Sequence, residues 1–269
     1  MLVANARMYC VEPASTAAWR VLLDWVAARA SVPMQWFEHQ GPLDALWRRP
    51  DLGCAFMCGY PWAAWQASSG ARPMPLATPC PVSSDAMPRY RTCIVVRDAS
   101  ALAGLEDVRG RRFAYTTPSS QSGYQAARCL FAGASRAHGG RYFERVVGPL
   151  VTPRRVVEAL TSGEADAGPL DSYWLDLLAR REPDTARRLR VIATTPWTPM
   201  PLLAASARVP DDVRERLTRA LLEAADEPAL REARDTLALA GFAKAEQGTY
   251  AVLAESARQA DALGYPNLQ

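Results

Sequence analysis

Two hydrophobic periods alternate along this chain. Short apolar runs with strand character are followed, repeatedly, by segments whose apolar residues recur at helical spacing. Residues 2–9 predict a strand, and residues 14–30 a helix with Ala18, Val21, Leu22, Trp25 and Val26 on one face. Residues 34–37 and 52–57 predict further strands. The second leads into Cys58-Gly59-Tyr60-Pro61, where the proline suits a first helical turn. The proline- and serine-rich stretch 71–87 reads as a connection. A strand over 90–97 then opens a series of strand–helix pairs: 112–116 with 124–131, 142–147 with 152–160, and 165–170 with 172–179. A strand over 189–193 precedes Thr194-Thr195-Pro196-Trp197-Thr198-Pro199-Met200-Pro201. Beyond a strand at 202–205 the pattern predicts only helices, over about 211–225, 228–240 and 249–263.

This alternation implies an α/β protein with mainly parallel sheets and helices on both faces. Proline-punctuated stretches near 79–89 and 194–201 bracket one block of strand–helix units. The expected organisation is therefore two lobes: a discontinuous first lobe of 1–88 and 196–269, carrying the C-terminal helices, and an inserted second lobe of 89–195. Ligands of open α/β sheets bind beyond the carboxyl ends of the strands. The loops expected there are Tyr9-Cys10, Cys58-Gly59-Tyr60, residues 117–123 and Asp171-Ser172-Tyr173.

Of these, Thr117-Pro118-Ser119-Ser120-Gln121-Ser122-Gly123-Tyr124 carries the most chemistry. It sets small hydroxyls and a glycine where a buried strand turns into a helix. The first N–H groups of a helix lack intrahelical partners and the helix dipole adds partial positive charge, so an anionic oxygen is favoured there. Ser120 or Ser122 acting simply as the N-cap is the alternative. Asp171 is likewise either a cap or a ligand contact. Tyr9 and Tyr60 either wall a cleft or sit in the core with their hydroxyls paired. Trp197 either packs or walls the cleft, and Arg91 either meets an anion or forms an ion pair.

Composition narrows the function. The net charge is +3, Lys244 is the only lysine, and the arginines are scattered among acids, as in Arg180-Arg181-Glu182. These are solvated helix faces and not a nucleic-acid stripe. The six cysteines form no metal-ligand pattern, and His39 and His138 lie in no catalytic motif. With no Gly-rich nucleotide loop either, the expectation is a monomer with no cofactor, no metal and no enzymatic activity. No run reaches transmembrane length, and residues 1–9 lack the basic and apolar regions of a secretory signal, which points to the cytoplasm if the chain is complete.

The ordered motifs resemble the phosphate/phosphonate solute-binding proteins of ABC transporters, the PhnD type. The matching residues are Met8-Tyr9, Cys58-Gly59-Tyr60-Pro61, Tyr90-Arg91-Thr92-Cys93-Ile94-Val95-Val96-Arg97, Leu105-Glu106-Asp107-Val108-Arg109-Gly110, Pro118-Ser119-Ser120-Gln121-Ser122-Gly123-Tyr124, Ser162-Gly163-Glu164-Ala165-Asp166-Ala167-Gly168 and Thr195-Pro196-Trp197. The resemblance implies a two-lobed type 2 periplasmic-binding-protein fold closing on a small ligand, with a periplasmic location and transporter membrane subunits as partners. It places ligand oxygens on Ser119, Ser120, Gln121, Ser122 and Gly123, with Tyr9 and Tyr60 reaching from the first lobe, and Asp171 and Trp197 beside them. Two departures bear on the ligand: Leu150 stands where such proteins carry an anion-binding histidine, and Gln121 where Thr or Asn is common. A cytosolic enzyme of the same fold and a soluble ligand sensor are the other readings.

Overall fold

The computed structural model describes residues 1–269 and falls into two units, Met1–Arg89 with Pro199–Tyr250, and Tyr90–Thr198 with Ala251–Gln269. In chain order the first stretch forms β1 (Leu2–Asn5), α1 (Pro13–Ala30), β2 (Met34–Trp36), α2 (Leu43–Trp47), β3 (Leu52–Met57), α3 (Gly59–Ala63) and β4 (Met74–Pro81). There follow β5 (Arg89–Tyr90), β6 (Thr92–Arg97), β7 (Arg112–Ala114), α4 (Ala126–Ala137), β8 (Arg145–Val147), α5 (Pro153–Ser162), β9 (Ala167–Asp171), α6 (Ser172–Arg181), α7 (Pro183–Ala186), β10 (Leu189–Thr194) and β11 (Thr198–Pro199). The chain then adds β12 (Leu202–Ala205), α8 (Asp211–Glu223), α9 (Arg231–Thr236), β13 (Leu239–Lys244) and α10 (Ala251–Ala262).

The first unit carries a six-stranded sheet in the order β13-β4-β12-β3-β1-β2. β1 is parallel to β2 and β3, whereas β12 runs antiparallel to β3 and β4, and β13 antiparallel to β4. The sheet is therefore mixed where mainly parallel pairing was expected. The strand–helix repeats supply its parallel half, and the later strands enter against them. Helix α1 begins with Pro13, and the Glu12 carboxylate caps it, accepting from the N–H groups of Ala14 and Ser15 at 2.7 Å each. Its buried face is Ala18, Trp19, Leu22, Leu23 and Val26, so Val21, expected inward, is exposed. Trp19 meets Phe56 of β3 edge-on at 4.9 Å.

Two strands of this sheet were unexpected. Residues 74–81, within the stretch read as a connection, form β4 in spite of Pro75, Pro79 and Pro81. The ladders on both sides of β4 are irregular: its register to β12 shifts between Ala77 and Pro75, and its register to β13 shifts between Leu239 and Gly241, and such bulges are where a paired strand tolerates proline. Residues 239–244 form a strand that takes the end of the helix expected over 228–240 and part of the gap before the next one. Apart from Phe242, these residues (Leu, Ala, Gly and Lys) carry little strand propensity, and antiparallel pairing to β4 overrides it.

The second unit holds a five-stranded sheet, β10-β6-β9-β7-β8. β7 is parallel to β8 and β9, and β6 is antiparallel to both β9 and β10. Its core stacks Phe113 on Phe143 at 4.5 Å, with Phe131 edge-on to both. Ala260, Tyr265 and Leu268 join this core. The last helix, expected on the first lobe, thus belongs to the second unit. Burying one side chain such as Leu268 stabilises that placement by about 1.5–3 kcal/mol. Helices α8 and α9 stay with the first unit.

Candidate functional site

β7 ends at Ala114, and the chain continues as Tyr115, whose N–H donates to the Val147 carbonyl at 3.0 Å. Thr116 then donates to the Gly123 carbonyl at 3.1 Å, closing residues 117–122 into a compact turn. The helix that follows opens with a π-helical turn over Gln121–Gln125, in which the Gln125 N–H reaches back to the Ser120 carbonyl at 3.0 Å. Such wide turns leave one more N–H without an intrahelical partner than an α-turn does, and they recur at functional sites.

Within the turn, Ser120 is the N-cap: its Oγ accepts from the Gly123 N–H at 3.0 Å. The capping role weighed for Ser120 is therefore present, and Gly123 has its N–H committed to it. Ser119 is exposed, its Oγ 3.3 Å from Thr117 Oγ1. Ser122 is half-buried, and its carbonyl accepts from Thr92 Oγ1 at 3.3 Å. Gln121 is buried at 4% exposure. A glycine is required at 123 by packing, because a Cβ there would lie 1.9 Å from Thr116 Oγ1.

Thr92 also pairs with Asp171 across the β6–β9 ladder, which sets the Asp171 turn beside the serine turn. Asp171 Oδ1 accepts from the N–H groups of Tyr173 and Trp174 at 2.8 and 3.0 Å, so this carboxylate caps α6. The Tyr173 hydroxyl is pushed well above its ordinary value, chiefly by burial and then by the Asp171 charge. Trp197 lies under the Arg91 guanidinium, 4.7 Å from ring centre to Cζ. Thr195 Oγ1 accepts from the Thr92 N–H at 3.0 Å. Ser120, Ser122, Thr92, Asp171 and Thr195 thus form one connected patch of the second unit.

In the first unit Tyr9 is 1% exposed, packs edge-on against Phe56 at 4.8 Å and has its hydroxyl 3.9 Å from Met200 Sδ. Tyr60, in the first turn of α3, is half-buried. A cavity of about 250 Å³ in this unit is lined by Trp47, Arg48, Ser69, Ser206 and Arg208, among others. It lies past the start of β3 and the end of β12, and none of the expected site residues lines it.

Thr92, Thr116 and Gln125 escaped the sequence reading. Thr92 lies in a strand that reads as core, and no spacing rule ties it to residue 122. Gln125 sits in the first turn of the helix, where its side chain donates to the Pro118 carbonyl at 2.7 Å. Chemically, the patch offers helix-terminal N–H groups and neutral hydroxyls. Burial pushes the thiols of Cys54 and Cys93 up, to about 12 and about 11. No group of three or more His, Cys, Asp or Glu residues is placed to hold a metal ion. No helix is long and apolar enough to cross a membrane.

Comparisons with known proteins bear on the family and the fold. The family model for the periplasmic substrate-binding protein of phosphonate ABC transporters matches residues 9–250. A binding protein component of an ABC phosphonate transporter from Pseudomonas aeruginosa superposes with a TM-score of 0.82 at 16% identity, covering 98% of this chain and 87% of its own. PhnD1 from Prochlorococcus marinus, in complex with methylphosphonate, gives 0.77 at 16% identity over 97% of this chain and 98% of its own. A Xanthomonas citri protein bound to ATP gives 0.67 at 18% identity over 97% and 98%. No curated protein sequence matches significantly.

Proposed function

Because the chain belongs to the family of periplasmic substrate-binding proteins of phosphonate ABC transporters, we propose that it captures a small oxyanion of the phosphonate or phosphate class on the serine turn of its second unit, and releases it chemically unchanged to transporter membrane subunits. The observation that carries this reading is the helix opening itself. A π-turn capped by the neutral Ser120 hydroxyl presents helix-terminal N–H groups and the Ser122 hydroxyl with no carboxylate of the turn to neutralise them. Charge-assisted hydrogen bonds from such donors to an oxyanion are about twice as strong as neutral ones. Leu150, half-buried in the loop after β8, brings no charge. Its backbone N–H donates to the Tyr115 carbonyl at 3.0 Å. The ligand is held by hydroxyls and amides rather than by a cation.

Ligand binding to the native state raises the melting temperature by mass action. Methylphosphonate, inorganic phosphate, sulfate and acetate form the test panel. The expected result is a shift with the phosphorus oxyanions that is reduced in Ser122→Ala and Ser120→Ala. Ser122→Ala is the cleaner variant, because Ser120 also caps the helix. Absence of any shift from the panel, or a shift that both variants keep in full, would sink the proposal. Recovery of methylphosphonate unchanged after prolonged incubation, followed by phosphorus NMR, is expected; its conversion would make the protein an enzyme.

A further inference from the structure

The serine turn is tied to the last helix of the chain by two side chains. Gln125 follows the turn and touches it twice, through its N–H to the Ser120 carbonyl at 3.0 Å and through Nε2 to the Pro118 carbonyl at 2.7 Å. Its Oε1 accepts from Arg128 Nε at 3.0 Å. The amide orientation is fixed from both ends: the Pro118 carbonyl can only accept and the guanidinium can only donate. Arg128, 2% exposed, spends its remaining donors on the C-terminal segment. Nη1 reaches Asp261 Oδ1 at 2.6 Å and the Tyr265 carbonyl at 2.8 Å, and Nη2 reaches the Ala257 carbonyl at 2.9 Å. A second tie runs in parallel, from the Leu268 N–H to the Tyr124 hydroxyl at 3.1 Å.

A buried guanidinium with four hydrogen bonds is a costly device for packing alone, because an apolar residue would fill the same space without a charge to compensate. What the fork supplies is direction. It fixes the Gln125 amide, and that amide fixes the carbonyl of the second residue of the turn. The geometry points to Gln125 and Arg128 as positioning residues for ligand capture, through which α10 and the segment after it set the shape of the serine turn. The inference rests on the ligand-turn reading above. Neither residue touches the ligand; both act by keeping the turn preorganised, so that binding does not have to order it. A lysine at 128 has no planar fork and cannot serve the three carbonyl and carboxylate oxygens together with the amide of Gln125.

Gln125→Glu separates this role from packing. Beside Arg128 the new carboxylate is ionised and keeps that pair, but it faces the Pro118 carbonyl with no donor. Titration calorimetry with methylphosphonate, hydrogen exchange at the amides of residues 119–123, and the melting temperature are measured for the wild type, Gln125→Glu and Arg128→Lys. The expected result is roughly five- to tenfold weaker binding, faster exchange across the turn, and a Gln125→Glu melting temperature close to that of the wild type. Unchanged affinity and unchanged exchange in Gln125→Glu would overturn the inference, as would a lowered melting temperature with both preserved. If Ser122→Ala lowers affinity while Gln125→Glu does not, the ligand turn stands and the positioning role falls. If the wild type binds neither methylphosphonate nor phosphate, the ligand reading falls. Exchange then decides alone whether Gln125 holds the turn, and unchanged rates reject it.

Discussion

Two strand-to-helix turns lie side by side in the second unit and solve the same problem differently. After β9, Asp171 caps α6 with its own carboxylate, taking the N–H groups of Tyr173 and Trp174. After β7, Ser120 caps the next helix with a hydroxyl, taking only the Gly123 N–H, and the helix starts in a π-turn. The first turn carries its anion permanently, so donors and dipole are already compensated. The second has the donors and the dipole but no charge of its own. A neutral cap leaves the terminal charge of a helix open to an external anion, whereas an ionised cap already fills that place. Glu12, which caps α1 with both carboxylate oxygens, belongs with Asp171 in this respect.

The sharpest way to break the comparison is to turn one turn into the other. Ser120→Asp keeps a good N-cap, so the fold is expected to stay within about 0.5 kcal/mol of the wild type. Its carboxylate occupies the position of the proposed ligand charge, and like-charge juxtaposition costs several kcal/mol. Methylphosphonate affinity should fall about a hundredfold or more by calorimetry, with the melting temperature retained. Binding at wild-type strength would show that the turn is a structural end like its neighbour.

Next in size is Gly123→Ala. The added methyl must displace Thr116 Oγ1, which lies 1.9 Å from the Cβ position, and Ser120 Oγ, at 2.9 Å. Overpacking of this kind costs about 1–3 kcal/mol, to be read from chemical denaturation. The Asp171 turn needs no glycine, and the contrast locates the crowding at the serine turn. Asp171→Ala comes third, with about 1 kcal/mol lost for the cap and most of it restored in Asp171→Asn. Methylphosphonate binding in Asp171→Asn is expected to be retained or tightened, since a neighbouring negative charge has gone. A tenfold weakening would make Asp171 a ligand contact rather than a cap alone.

How far the sequence reaches differs between these features for physical reasons. The serine turn and the Asp171 turn were legible because cap residues, strand ends and glycine follow local rules. Whether Ser120 or Ser122 was the cap was not legible, since that depends on where the π-turn begins, and π-turns have no residue signature. β4 was hidden by its prolines, which mark a connection in sequence and are tolerated here beside bulges that only the tertiary pairing creates. β13 was hidden because most of its residues carry little strand propensity and its pairing to β4 is long-range. The placement of α10 depended on Arg128, which looks from sequence like one more solvated arginine of a helix. The mixed character of both sheets came from the same source: strand direction after a crossing is set by tertiary pairing, not by local periodicity.

The smallest effect concerns the opposite ends of the two strands. Arg112, first residue of β7, donates from its N–H and from Nε to Asp166 Oδ2, at 2.9 and 3.0 Å, and from Nη2 to Oδ1 at 2.7 Å, just before β9 begins. These hydrogen bonds from the Arg112 guanidinium, ahead of its charge, hold the Asp166 carboxyl below the ordinary carboxylate range. A folded-state value below the unfolded one means that the unfolded chain binds the proton more readily. The pair therefore contributes stability at neutral pH and above the unfolded value of about 4, and loses it as pH falls through the lower folded value. Both partners are part-exposed, so about 1 kcal/mol is expected. Asp166→Asn should be less stable than the wild type by that amount at pH 7, and the gap should close on acidification below the folded value, as followed by urea denaturation across pH. Methylphosphonate affinity at pH 7 should not change, because the pair fixes where β7 and β9 start and not how their turns end. A loss of affinity in Asp166→Asn would mean that the two turns are set by the strand register beneath them, and that the difference between a neutral and an ionised cap is only part of what distinguishes them.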